Sequence, residues 1–67
     1  MPVDLLKIER LRKRAGLTQA EIAVRAGITK QRWNDIIKGR RAKLMLETVE
    51  HIAKALDVPI GDILLPI

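Results

Sequence analysis

The stretch Leu17 to Gly39, LTQAEIAVRAGITKQRWNDIIKG, decides the fold of this 67-residue chain. Thr18 offers a hydroxyl to cap a helix, and Glu21, three residues on, completes a capping box ahead of Ile22 and Ala23. Gly27 closes that helix near Ala26, and another start follows almost at once at Thr29. The spacing predicts two short helices joined by a very tight turn, the second running from Lys30 to about Ile37 or Lys38 and stopped by Gly39. Trp33, Ile36 and Ile37 recur at helical spacing and form the apolar side of that second helix.

Outward from this stretch the helical period continues on both sides. Leu5, Ile8, Leu11 and Ala15 mark one face of a helix between Val3 and Ala15, ended by Gly16. Beyond a basic loop holding Arg40, Arg41 and Lys43, a fourth helix starts near Leu46 and carries Val49, Ile52, Ala53 and Leu56 before ending around Asp57. Its start lacks a good cap. Pro59 suits the first turn of a last short helix with Ile60, Ile63 and Leu64, and Pro66 discourages continuation. No internal repeat, low-complexity tract or strand signal is present. The expectation is one all-α domain over residues 1–67, a compact bundle of five helices.

Composition narrows the function. The chain has no cysteine, so no disulfide can staple it, and the single His51 cannot by itself build a zinc site. No nucleophile and base, metal-ligand set or phosphate loop can be assembled, so neither an enzyme nor a cofactor is expected. No apolar run approaches the roughly 20 residues of a membrane helix, and MPVDLLKIER lacks the long apolar block of a leader. A soluble, cytoplasmic protein is expected. Thirteen Lys and Arg against eight Asp and Glu give a net charge of +5, which points to a polyanionic partner. The distribution says more than the total: Lys7 to Arg14 carries five basic residues and one acid, and Arg25 to Lys43 seven and one. From Leu44 onward Glu47, Glu50, Asp57 and Asp62 outnumber Lys54. Two basic clusters followed by an acidic end suggest a face for DNA and a face turned away.

Ala23 is small where the second and third helices must approach, Gly27 permits the turn, and Ile28 can fill the gap between them. These are the steric needs of a helix-turn-helix, whose first helix crosses the DNA backbone while its second enters the major groove. From LRKRAGLTQAEIA through AGITKQRWNDIIKGR to ETVEHIAKALDV, the chain resembles the phage-repressor-like, Cro-type XRE family of transcriptional regulators. The resemblance implies a lambda-repressor-like DNA-binding bundle with the motif formed by helices 2 and 3. Two positions depart from the family pattern. Ile37 stands where an acidic residue commonly pairs with an arginine at the place of Arg12, and Met45 stands where a serine often opens the fourth helix.

At about 100° per residue, with Trp33 inward, Gln31, Asp35 and Lys38 point nearly opposite, and Arg32 and Asn34 flank that outward side. Lys30 lies at the helix start, where side chains of this motif reach base edges. The expected base-contacting set is therefore Lys30, Gln31, Arg32, Asn34 and Asp35. Arg32 or Lys30 can donate to guanine, Gln31 matches the donor and acceptor pair of adenine, and Asp35 either accepts from cytosine or orients a neighbouring arginine. Lys38, Arg40, Arg41 and Lys43 are expected to reach phosphates. The family resemblance gives Gln19 that same role at the start of the second helix, where the dipole favours an anion. Trp33 is assigned to the core rather than to base stacking, and His51 to the surface.

Ile60, Ile63, Leu64, Leu65 and Ile67 crowd five apolar residues into the last eight positions. They form either a homodimer seam or a tail folded over its own core. A two-fold dimer would set two recognition helices about 34 Å apart and match a palindromic operator. The leading expectation is a repressor or other regulator that binds double-stranded DNA. The alternatives are an antitoxin that holds a toxin through its C-terminal part and represses its own operon, and a protein-interaction module that has lost DNA contact.

Overall fold

The computed structural model describes residues 3–40 and 44–65. Four α-helices follow in order, α1 (Leu5–Arg14), α2 (Gln19–Ala26), α3 (Lys30–Ile37) and α4 (Leu46–Ala55), and then a single 3-10 turn over Ile60–Ile63. The first amides of a helix lack intrahelical acceptors, and three of the four starts supply them from side chains. The Asp4 carboxylate accepts from the Lys7 N–H at 3.0 Å, a cap not anticipated from the sequence. Thr18 and Glu21 form the expected box, with bonds of 3.1 and 2.9 Å, and the Thr29 hydroxyl accepts from the Arg32 N–H at 3.1 Å. At α4, Met45 leaves the cap unmade, as its side chain dictates. A cap contributes about 1 kcal/mol, whereas each large apolar side chain buried contributes about 1.5–3 kcal/mol. Val49, Ile52 and Ala53 therefore outweigh the missing bond, and α4 is held by its packing.

All four helices close in the same way. A residue with positive φ turns the chain, its N–H and the next one donating back to carbonyls in the last turn. Gly27 (φ 73°) donates to Val24 at 3.1 Å while Ile28 donates to Ala23 at 3.0 Å. Gly16 and Gly39 do the same for α1 and α3, and Asp57, at φ 58°, for α4. The residue after the turn is Leu17, Ile28 or Val58 at three of these ends, all buried or half-buried. At the fourth it is Arg40, which is exposed.

The expected fifth helix is corrected to that 3-10 turn. Pro59 precedes it and Leu64 leaves it in extended conformation, so only four residues are available and no second turn forms. Leu64 then makes an isolated antiparallel bridge with Val3, and the Asp4 N–H donates to the Ile63 carbonyl at 2.9 Å. The tail is thereby pinned to the start of α1. α2 packs against both α3 and α4, and the 3-10 turn packs against α4 and α1. Ile8, Ile22, Trp33, Ile36, Val49, Ile52 and Ile63 are fully enclosed between these elements. None of the described helices is long and apolar enough to cross a membrane.

Candidate nucleic-acid interface

Burial of Trp33 and Ile36 fixes how α3 is turned, and its other side chains follow from the helical period. Lys30, Gln31 and Lys38 are exposed, and Arg32, Asn34 and Asp35 are half-buried along the flank. Together with Arg40 they put seven of the eight described DNA-contact candidates, all but Gln19, on one helix and its end. Ile37 is half-buried and packs against the core. A depression of about 520 Å³ lies beside the tight turn, lined by Gly27, Ile28, Thr29, Gln31, Arg32 and Asp35.

Asp35 organises this surface. Its Oδ1 accepts from Gln31 Nε2 at 3.2 Å and from Arg40 Nη1 at 3.3 Å. Gly39 turns the chain so that the Arg40 N–H also donates to the Asp35 carbonyl at 2.9 Å. The Arg40 side chain nonetheless remains 61% exposed, so its charge still faces solvent. Arg32 Nε is buried without a hydrogen-bond partner among the described residues, as is Nε1 of Trp33. The Trp33 ring is fully enclosed, which gives it the core role expected of it, and His51 is exposed.

Gln19 occupies the first turn of α2, half-buried, where its Nε2 donates to Glu9 Oε1 at 3.3 Å. The other Glu9 oxygen pairs with Arg12 Nε, and Arg12 Nη1 donates onward to the Leu17 carbonyl at 2.6 Å. Arg12, left without an acid at position 37, thus takes its carboxylate from its own helix, three residues back. The sequence signal was the i, i+3 spacing of Glu9 and Arg12. Glu21 adds a second acid to this end of α2. The Thr18 backbone N–H, then the Thr18 hydroxyl and the charge of Arg25 hold its carboxyl below the ordinary carboxylate range. The ionised group suits the helix dipole but opposes an approaching phosphate, so Gln19 sits in a mixed electrostatic setting.

The apolar tail divides. Ile63 is fully buried in the chain's own core, Ile60 and Leu64 are half-buried against it, and Leu65 is 43% exposed. The larger exposed apolar side chains are Leu6, Val24 and Met45, at 81, 78 and 68%. The sequence reading did not single out Leu6 or Val24, each next to a charged residue on a helix, and treated Met45 only as a missing helix cap. Arg41, Lys43 and Ile67 lie outside the described residues.

Two short helices across a left-handed turn, with an apolar wedge between them and a polar outer side on the second, define a helix-turn-helix domain. The chain belongs to the helix-turn-helix domain family, whose model matches residues 6–64. This is the class to which the motif resemblance pointed. Its fold is similar to that of the N-terminal DNA binding domain of SinR from Bacillus subtilis, with a TM-score of 0.76 at 24% identity over 85% of this chain and 83% of that one. No curated protein matches the chain.

Proposed function

We propose that this chain is a sequence-specific, double-stranded DNA-binding transcriptional regulator, a repressor that acts by occupying its operator from the cytoplasm. Residues 1–67 work as one binding domain, without catalytic chemistry or a cofactor. The outward side of α3 carries the proposal. Its Lys30, Gln31, Arg32, Asn34 and Asp35 surround a helix anchored by buried Trp33, in a chain of net charge +5. Inserted in the major groove, this side presents both donors and acceptors to base edges. Lys38, Arg40, Arg41, Lys43 and Gln19 anchor the backbone.

A homodimer on a palindromic operator remains the assembly proposed. Burial of Ile63 moves its support from the whole tail to Leu65 and the rims of Ile60 and Leu64. The second reading is an antitoxin that holds a toxin partner through its C-terminal part, where Leu65 is exposed. A stable protein partner that co-purifies with the chain would select that reading.

Titration of fluorescent 20-base-pair duplexes by anisotropy tests the proposal. Binding that weakens steeply between 50 and 200 mM salt is the expected outcome, since several phosphate contacts each release counterions, about 0.9 per contact. A flat signal on every duplex at low salt would leave only a protein-interaction role.

A further inference from the structure

Asp35 is the lone acid between Arg25 and Lys43, a stretch with seven basic residues. A carboxylate at that place subtracts from the attraction of the surface for phosphates. Its ion pair with Arg40 is largely exposed on the arginine side, where such pairs contribute little to folding. Neither attraction to DNA nor stability accounts for an acid there. Its bonds account for it better. At the other three helix ends the residue after the turn is apolar and packs inward, whereas at α3 that residue is Arg40 and the Asp35 carboxylate takes hold of it. The same oxygen takes one hydrogen of the Gln31 amide.

We propose that Asp35 is a specificity-determining positioning residue, which keeps the Arg40 guanidinium off the phosphates of non-cognate DNA and aligns the Gln31 amide for base contact. This rests on the DNA-binding function proposed above. An amide meets adenine through its oxygen and the hydrogen on the same side, so a carboxylate that takes the other hydrogen leaves that edge free. Arg40 is held twice, by backbone and side chain, so non-cognate DNA must break an ion pair to recruit it. Only a site that also satisfies Gln31 repays that loss.

The test compares wild type, Asp35→Asn and Asp35→Asn/Arg40→Ala on two probes of equal length, a duplex the wild-type chain selects from a randomised pool and a random-sequence duplex. Circular dichroism melting checks folding, and Asp35→Ser serves as a second variant without the carboxylate. Asp35→Asn is expected to tighten binding to the random duplex about fivefold and steepen its salt dependence by about one unit, as Arg40 gains a phosphate. The ratio of selected to random affinity is expected to fall about tenfold. Removing Arg40 as well is expected to return the random duplex to near wild-type affinity. An unchanged ratio in both folded single variants overturns the inference, and so does a gain that survives the loss of Arg40. Failure of the wild type to bind any duplex overturns the DNA-binding proposal itself and this inference with it.

Discussion

Arg12 and Leu17 are tied twice across the end of α1: the Leu17 N–H donates to the Arg12 carbonyl at 3.2 Å, and the Arg12 guanidinium donates to the Leu17 carbonyl at 2.6 Å. The same guanidinium reaches Glu9, whose other oxygen holds Gln19, so one side chain links α1, the turn and the first residue of α2. Lysine carries the charge but not the planar fork that serves two acceptors at once. Arg12→Lys is expected to lower stability by about 1 kcal/mol. Urea unfolding followed by the emission of Trp33 checks this, and an unchanged midpoint would show that the second bond adds nothing.

The four helix ends share a geometry but not a residue. Gly27 stands at φ 73° with nothing within 4 Å of where a Cβ would lie, so any penalty for a side chain there is one of backbone conformation alone. Gly27→Ala is expected to cost about 1 kcal/mol. Asp57 already tolerates φ 58°, so Asp57→Gly should cost nothing measurable. Equal losses from the two changes, measured by thermal melting, would contradict the role given to the turn.

Glu21 makes stability depend on acid. Bonds from Thr18 and the charge of Arg25 favour its ionised form in the folded chain, so its pKa is lower folded than unfolded. The stabilisation is complete above the unfolded value and is lost as pH falls through the folded one. Glu21→Gln keeps an acceptor but removes this dependence. The melting temperatures of wild type and variant should therefore converge as pH drops below the usual carboxylate range, and a constant gap would count against the ionised box.

On DNA, Gln31 and Lys38 should behave differently. Gln31→Ala is expected to reduce discrimination between selected and random duplexes by about 1–3 kcal/mol with little change on random DNA. Lys38→Ala is expected to weaken both and make the salt slope shallower by about one unit. Equal effects of Gln31→Ala on the two probes would remove it from the base-reading set.

Much of this domain was legible because its signals are local. Thr18 with Glu21, Gly27, Thr29 and Gly39 each state a helix start or stop within a few residues, and the structure places α2 and α3 where they direct. The inward position of Trp33 followed from period alone. The last element was placed but its type was missed, because Ile60, Ile63 and Leu64 have the spacing of a helix while Pro59 before them and the extended Leu64 leave too few residues for two turns. Whether Leu64 caps its own core or meets a partner depends on its bridge to Val3, a contact between the two ends that no local pattern records. Asp35 was recognised as acceptor or orienter. Its contact with Arg40 could not be read locally, because it needs the reversal at Gly39, which brings Arg40 back to it.

Selection from a pool of randomised duplex DNA by the purified chain tests the central claim most directly. The account predicts enrichment of one sequence motif, in two inverted copies centred about 34 Å apart if the chain binds as a two-fold dimer, and loss of that enrichment in the Gln31→Ala variant. A pool that keeps its starting composition through repeated low-salt rounds would contradict it.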